Sequence, residues 1–224
     1  MIKVWDYLEE YKLLRNEILN TVDEVFKSGI LIFGPKLEEF EEKFSKFCGA
    51  KYCVAVNSGT SALHTALLAH GIQSDDEVIT VPNTFIATTW AITYCGAKPV
   101  FVDIDEHTYN IDISRIEETI NQKTKAINPV HLFGQPADMD PIQEIAKTHN
   151  LSVIEDAAQA HLAEYKDKKV GGFGTIASWS FYPGKNLGAW GEAGAVTTNN
   201  EELFIKTKKF RDHGSDRKYN HDII

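Results

Sequence analysis

The sequence predicts an α/β domain in which a mostly parallel sheet is covered by helices. Three observations point there. From Tyr52 onward, short apolar runs alternate with stretches of helical period, the pattern left by strands joined through crossover helices. The run Leu151–Glu155 is apolar at both Val153 and Ile154, so both faces of that strand are buried, as in a parallel sheet. The stretch Val54–Leu63 reads as a strand, a small polar turn and a helix start in immediate succession. The 224 residues suffice for a full core, and no repeat, low-complexity stretch or linker divides them, so one domain over 1–224 is the simplest account.

The elements follow in order. Val4, Leu8, Tyr11, Leu14, Ile18, Val22 and Val25 recur at steps of three and four, which predicts a first helix within residues 1–30. It ends at Ser28-Gly29 and serves packing or an interface. Pro35 suits the first position of a second helix with the apolar face Leu37, Phe40, Phe44 and Phe47 and a stop at Gly49. Glu38, Glu39, Glu41 and Glu42 form its solvated side and suit its N-terminus. Strands are expected at 52–56, 77–81, 99–102, 124–130, 151–155, 177–181 and 193–198. Helices are expected at 61–70, 86–94, 113–120, 141–150 and 201–211, with Asp140 capping the fourth and Pro141 at its first position.

Bulk properties exclude several roles. A formal net charge of −9 argues against nucleic-acid and membrane-surface binding, which call for a basic face, but leaves room for an anionic small ligand held by local donors. No apolar run has the length of a membrane span, and Met1–Asp6 does not read as a signal peptide, so a cytoplasmic location is expected. Cys48, Cys53 and Cys95 lack paired metal-ligand spacing and read as buried free thiols. The eight histidines form no metal-binding motif, so no protein-held metal is expected.

In open sheets of this kind ligands sit at the carboxyl ends of the strands, so the residues following each apolar run carry the functional argument. Asn57-Ser-Gly-Thr60 places unpaired backbone N–H groups of a helix start at one point, a ready phosphate site; helix capping by Ser58 or Asn57 is the plain alternative. Glu155 and Asp156 end a buried strand and point to opposite faces, so they make a poor acid–base pair. The carboxylate at the strand end needs a partner, either a cationic nitrogen or the N–H groups of the turn at 157–159. Phe85, after Pro82-Asn-Thr, has a flat face to cover a planar ring or to pack in the core. His131 reads as a hydrogen-bonded core histidine. Lys185 lies in the glycine-rich loop Pro183–Gly194, where Gly188, Gly191 and Gly194 let backbone approach a ligand; a solvated lysine on a surface turn is its plain reading. The loop is no Walker A motif, because Trp179 and Asn186 stand in the wrong places.

Together these residues specify one ligand: phosphate at a helix start, an aromatic cover, a buried carboxylate for a ring nitrogen and a lysine able to form an imine. That ligand is pyridoxal phosphate. Deprotonating a free lysine of pKa about 10.4 at pH 7 costs roughly 4 to 5 kcal/mol, an obstacle that imine formation removes.

The chain also resembles the DegT/DnrJ/EryC1/StrS aminotransferases, which act on nucleotide-linked sugars. The resemblance rests on Ser28-Gly29 with Phe33-Gly34-Pro35, Asn57–Thr60, Pro82 with Thr84-Phe85, Pro129–Gly134, Pro136–Met139, Glu155–His161 and Ser180–Gly188. It implies the large domain of the fold type I aminotransferase architecture, with Lys185 as the Schiff-base lysine and Asp156 on the pyridine nitrogen. It further implies Gln159 toward the ring hydroxyl, Gly59, Thr60 and Ser180 on the phosphate, and Phe85 stacked on the ring. Glutamate as amino donor, a nucleotide-linked ketosugar as acceptor and a homodimer with shared active sites are implied in the same way. Members that carry histidine at the lysine position are sugar dehydratases, an outcome Lys185 argues against. Two positions depart from the pattern: Leu162 and Ala193 stand where glycine is usual. Family members continue beyond Lys218-Tyr-Asn-His221 into a smaller C-terminal domain, so this chain is expected to be the cofactor domain of a longer protein. A non-catalytic or regulatory homologue is the alternative.

Overall fold

The computed structural model describes residues 6–217 and 220–221. Val4 of the first predicted helix, and Lys218 and Tyr219 of the last motif, lie outside the described residues. Helix α1 (Tyr7–Ser28) is capped by Asp6, whose carboxylate accepts from the Leu8 N–H, and ends at Gly29 in the left-handed region, φ 70°. Helix α2 (Pro35–Cys48) starts with Pro35 and ends at Gly49, again left-handed. Strand β1 (Tyr52–Val56) leads into α3 (Gly59–His70), then β2 (Glu77–Thr80), α4 (Ala87–Tyr94) and β3 (Lys98–Phe101). A 3-10 turn at Ile113–Arg115 precedes the single turn α5 (Ile116–Thr119), followed by β4 (Thr124–Ile127), α6 (Met139–Thr148) and β5 (Ser152–Asp156). A small hairpin, β6 (Glu164–Tyr165) and β7 (Lys168–Lys169), leads to β8 (Ile176–Ser180), β9 (Gly194–Thr198) and α7 (Glu201–Arg211). A last pair, β10 (Ser215–Arg217) and β11 (Asn220–His221), closes the described chain.

Seven strands form one sheet in the order β1-β9-β8-β5-β4-β2-β3. β9 alone runs antiparallel to its neighbours β1 and β8; the other pairings are parallel. β8 and β9 need no crossover helix because they are antiparallel, and the loop between them carries Lys185. Strand alternation divides the core. Ile154 and Ile176 face α3, α4 and α7 with Leu63, Leu67, Ile92 and Val196, while Val153 faces the opposite side with Ile127, Met139 and Ile142. Trp179, Phe181 and Phe44 of α2 fill a third cluster on that second side. All three cysteines are free and buried, as anticipated.

Four details differ from the sequence reading. Asp138, not Asp140, occupies the N-cap of α6, so Pro141 is the third helical residue, still within the turn whose N–H groups need no helical partner. The helix expected at 113–120 is split into the 3-10 turn and α5. The strand expected to reach Val130 stops at Ile127, before Pro129, which has no N–H for the ladder; pairing resumes at one bridge between Val130 and Asp156. The β6–β7 hairpin turns through Lys166 and Asp167, both at positive φ (49° and 63°). Without glycine or asparagine there, the turn left no sequence signal.

No residue of α1 is buried, and Leu8, Leu13, Leu19, Val22 and Phe26 are exposed. Tyr7 and Tyr11 nevertheless pack on Trp190 of the β8–β9 loop, with ring centroids 6.0 and 5.4 Å apart. No helix among the described residues is long and apolar enough to cross a membrane.

Candidate active site

The carboxyl ends of β1, β5 and β8 converge with the start of α3. Ser58 caps α3, its Oγ accepting from the Ser61 N–H at 3.1 Å. The helix start is pressed against the sheet by two glycines. A Cβ on Gly59 would lie 2.6 Å from Ser180 Cβ, and one on Gly194 would lie 2.2 Å from the Ser58 carbonyl oxygen. Gly59, Thr60 and Ser180 are thereby brought together, with the first N–H groups of α3 beside the buried Ser180 hydroxyl. That is a cradle of donors for an anion.

Asp156 pairs with Ser178 across β5 and β8, so Asp156, Ser178 and Ser180 share the face covered by α3 and α4. It is buried, and Thr88 Oγ1 of α4 donates to its Oδ2 at 2.7 Å. Its Oδ1 accepts from the Ala158 N–H at 3.1 Å, so the turn-capping alternative is realised by one of the two oxygens. Burial pushes its pKa up, opposed by Thr88, the Ala158 N–H, His131 and Lys185. A cationic nitrogen delivered by a ligand would reverse that penalty. Glu155 points to the other face. Its two oxygens accept from Gly174 N–H (2.6 Å), Gly171 N–H (2.8 Å) and His131 Nε2 (3.0 Å). His131 Nδ1 accepts from the Ala137 N–H at 3.0 Å, which assigns the ring proton to Nε2 and makes His131 the hydrogen-bonded core histidine expected.

Lys185 is half-buried on the loop after β8, its own N–H bonded to the Tyr182 carbonyl at 2.8 Å. Burial holds its amine below the usual lysine pKa, and the Asp156 carboxylate opposes the shift. This is the direction that favours a nucleophilic amine. Phe85 is 63 % exposed, so it is no core residue; its carbonyl starts the turn that carries Thr88 to Asp156. Gln159 Oε1 accepts from the Phe133 N–H at 2.9 Å.

Two residues of this region escaped the sequence reading. Thr88 lies three residues beyond Phe85, and nothing in the sequence there indicates which side chain turns toward the sheet. His161 is buried between Trp179, Phe181 and Phe44, with ring centroids 5.5, 5.4 and 6.5 Å away. Neither of its ring nitrogens has a hydrogen-bond partner. Burial lowers its pKa to about 4, and the Lys185 charge adds to the shift. A base whose folded pKa lies below its unfolded value contributes stability above pH 6.5 that is lost as pH falls toward 4. His161→Phe is therefore expected to remove about 3 kcal/mol of the acid-induced loss between pH 7 and pH 4, at about 1.4 kcal/mol per unit. Urea unfolding of both proteins at the two pH values checks this.

The DegT/DnrJ/EryC1/StrS aminotransferase family model matches residues 12–224. The chain belongs to this family. It is 47% identical over 223 residues to a pleiotropic regulatory protein of Geobacillus stearothermophilus, covering 100% of this chain and 60% of the relative. It is 48% identical over 219 residues to dTDP-3-amino-3,6-dideoxy-alpha-D-galactopyranose transaminase of Aneurinibacillus thermoaerophilus, covering 98% of this chain and 60% of the relative. The crystal structure of NtdA from Bacillus subtilis with bound cofactor PMP superposes with a TM-score of 0.89 at 42% identity, covering 93% of this chain and 48% of that one. The chain thus spans about half to three fifths of the length of these relatives. The fold is the anticipated one, the large-domain α/β arrangement of fold type I aminotransferases.

Of the two departures from the family pattern, Ala193 lies outside the left-handed region and accepts the Phe181 N–H at 2.8 Å, so its methyl group is accommodated. Leu162 is different: it sits at φ 66° and is 53% exposed. A leucine in this region is strained by about 1–2 kcal/mol and gains little from burial here, whereas glycine loses about 0.5–1 kcal/mol of chain entropy. Leu162→Gly is expected to raise stability by about 0.5–1 kcal/mol, seen as a higher denaturation midpoint at unchanged m-value.

Proposed function

We propose that this chain is the cofactor domain of a pyridoxal-phosphate-dependent aminotransferase that transfers an amino group, from glutamate, to a nucleotide-linked ketosugar. The observation that carries the proposal is the convergence of Lys185, an amine depressed by burial, with the buried Asp156 and the donor cradle of α3. The close fit of Gly59 against Ser180, where a Cβ would overlap, seats the first N–H groups of α3 beside the Ser180 hydroxyl, the kind of donor set that binds phosphate. When bound, pyridoxal phosphate supplies the imine-forming aldehyde and the electron sink for moving an amino group.

The chain's own residues divide the remaining work. Gly59, Thr60 and Ser180 hold the phosphate. Asp156 faces the ring nitrogen and keeps it protonated, with Thr88 fixing the carboxylate. Gln159 meets the ring oxygen and Phe85 covers the ring face. Lys185 would hold the cofactor through its amine, and that amine, depressed by burial, would serve as the general base. The sugar transaminase named among the relatives supports a nucleotide-linked sugar as acceptor. A homodimer with shared sites, a C-terminal small domain in the full protein and a cytoplasmic setting belong to the same proposal.

The non-catalytic alternative draws on the relative named a regulatory protein, but the complete lysine, carboxylate and cradle set favours turnover. Assaying amino transfer from glutamate to a dTDP-linked ketosugar tests the proposal, with the 224-residue chain and a version extended to the length of its relatives. Turnover by the extended protein supports it. A folded, cofactor-loaded extended protein with no transfer to any nucleotide-linked ketosugar contradicts it.

A further inference from the structure

The segment after β4 crosses the carboxyl end of β5 and is bonded to it and to the turn that follows. The His131 N–H bonds the Asp156 carbonyl oxygen at 3.0 Å, and two residues on the Phe133 N–H bonds Gln159 Oε1 at 2.9 Å. At the second contact the backbone is unusual. Phe133 sits in the left-handed region at φ 55°, followed by Gly134 at φ 87°. A bulky residue adopts that conformation only where its surroundings impose it. The side chain supplies no packing reason, since Phe133 is 86% exposed. The conformation turns the chain back directly after the Phe133 N–H, so that the Gly134 and Gln135 N–H groups return to the His131 and Leu132 carbonyl oxygens at 3.4 and 3.0 Å.

An N–H can only donate, so the atom it meets must be the amide oxygen of Gln159, and the nitrogen Nε2 occupies the other position. Among the described residues Nε2 has no partner. We propose that Phe133 is a positioning residue: its left-handed conformation closes the turn that keeps its backbone N–H on Gln159 Oε1, so that the side chain presents only its Nε2 donor to the cofactor. The inference rests on the reading of Gln159 as a ligand of the ring oxygen. It adds that the donor is set before the cofactor arrives, and that the site favours a ring oxygen that accepts a hydrogen bond, as the deprotonated oxygen does.

Amide hydrogen exchange of the cofactor-free chain tests the contact, and titration with pyridoxal phosphate tests its consequence. Gln159→Leu removes the acceptor, and exchange at the Phe133 amide is expected to quicken at least about tenfold. Gln159→Glu keeps an oxygen for the Phe133 N–H but has no donor, so protection is expected to stay while pyridoxal phosphate binds about tenfold more weakly, as it does to Gln159→Leu. At position 133 itself, glycine tolerates the left-handed conformation and β-branched valine does not. Phe133→Gly is expected to retain amide protection and a Kd within about threefold of wild type, whereas Phe133→Val loses both. Because the side chain is exposed, neither change opens a cavity.

Unchanged exchange at Phe133 in Gln159→Leu overturns the proposal and leaves the reading of Lys185 intact. Equal weakening by Phe133→Gly and Phe133→Val also overturns it, since the aromatic ring would then be what matters. If exchange responds as expected while every variant binds pyridoxal phosphate like wild type, Gln159 is not a cofactor ligand and the positioning role falls with it. A wild-type chain that binds no pyridoxal phosphate refutes the functional reading, and the exchange experiment still decides the contact.

Discussion

Asp156→Asn is expected to keep the fold and to lower amino transfer by the full-length protein at least about a hundredfold, the scale seen when one electrostatic partner of a reacting group is removed. The amide has the same shape and can still accept from the Ala158 N–H and donate to Thr88, so the neighbouring structure has no reason to move. It lacks the charge that keeps a ring nitrogen protonated. A second consequence appears without cofactor. The folded pKa of Asp156 is raised above its ordinary value of 3.8, so its contribution to stability is full below pH 3.8 and is lost as pH rises through the folded value. At neutral pH the buried acid is a burden relative to an amide, and Asp156→Asn should be at least as stable as wild type, its advantage shrinking as pH falls toward 3.8. Urea unfolding of the cofactor-free proteins between pH 4 and pH 7 measures the trend. An advantage that grows on acidification would contradict the burial argument.

Glu155→Ala has the largest expected effect on stability, a loss of about 3–5 kcal/mol. Three donors converge on this fully buried carboxylate, the His131 imidazole and the Gly171 and Gly174 N–H groups, and alanine leaves all three unpaired. The glycines themselves explain why nothing else can fill the space. A Cβ at Gly171 would fall 2.0 Å from Trp179 Cζ2, and one at Gly174 would fall 2.6 Å from the Val153 carbonyl oxygen, so the loop has no room to shift inward. Because the loop packs on Trp179, which also cages His161, the damage extends to that aromatic cluster. Chemical denaturation at pH 7 checks the size of the loss. A change below about 1 kcal/mol would show that the carboxylate is not what holds the 171–174 loop.

These two neighbours also show what the sequence makes legible. Period two along β5 sends Glu155 and Asp156 to opposite faces, and the structure gives them separate partners, as read from the residues alone. Strand positions were legible because apolar runs such as Val78–Val81 and Ile176–Phe181 have no other way to be buried. Direction was not. An apolar run reads the same either way, so the reversal of β9 emerges only from its pairing with β8 and β1. The stops at Gly29 and Gly49 were legible because capping is local chemistry, whereas α3 starts two residues before the expected 61, its cap falling to Ser58 of the two candidates Asn57 and Ser58. The assignment of Asp140 rather than Asp138 failed where two acidic residues compete for one cap.

For the site, the reactive groups Lys185 and Asp156 stood out by residue type and position, whereas their supports did not. Thr88 reaches Asp156 from 68 residues away, and Phe133 reaches Gln159 through a backbone N–H that every non-proline residue possesses. Such contacts belong to the tertiary fold, and a spacing rule along the chain cannot contain them. Leu162 at φ 66° marks the converse case, a place where the chain keeps a side chain that its backbone conformation resists.

The central claim is that Lys185 is the residue that carries the cofactor. Incubating the chain with pyridoxal phosphate, reducing with borohydride and mapping the peptides by mass spectrometry tests it directly. A pyridoxyl group is expected on Lys185, ahead of the other lysines, with a visible absorbance before reduction that Lys185→Ala abolishes in a folded protein. Labelling spread evenly over surface lysines, with the same spectrum in the wild type and the folded variant, would contradict it.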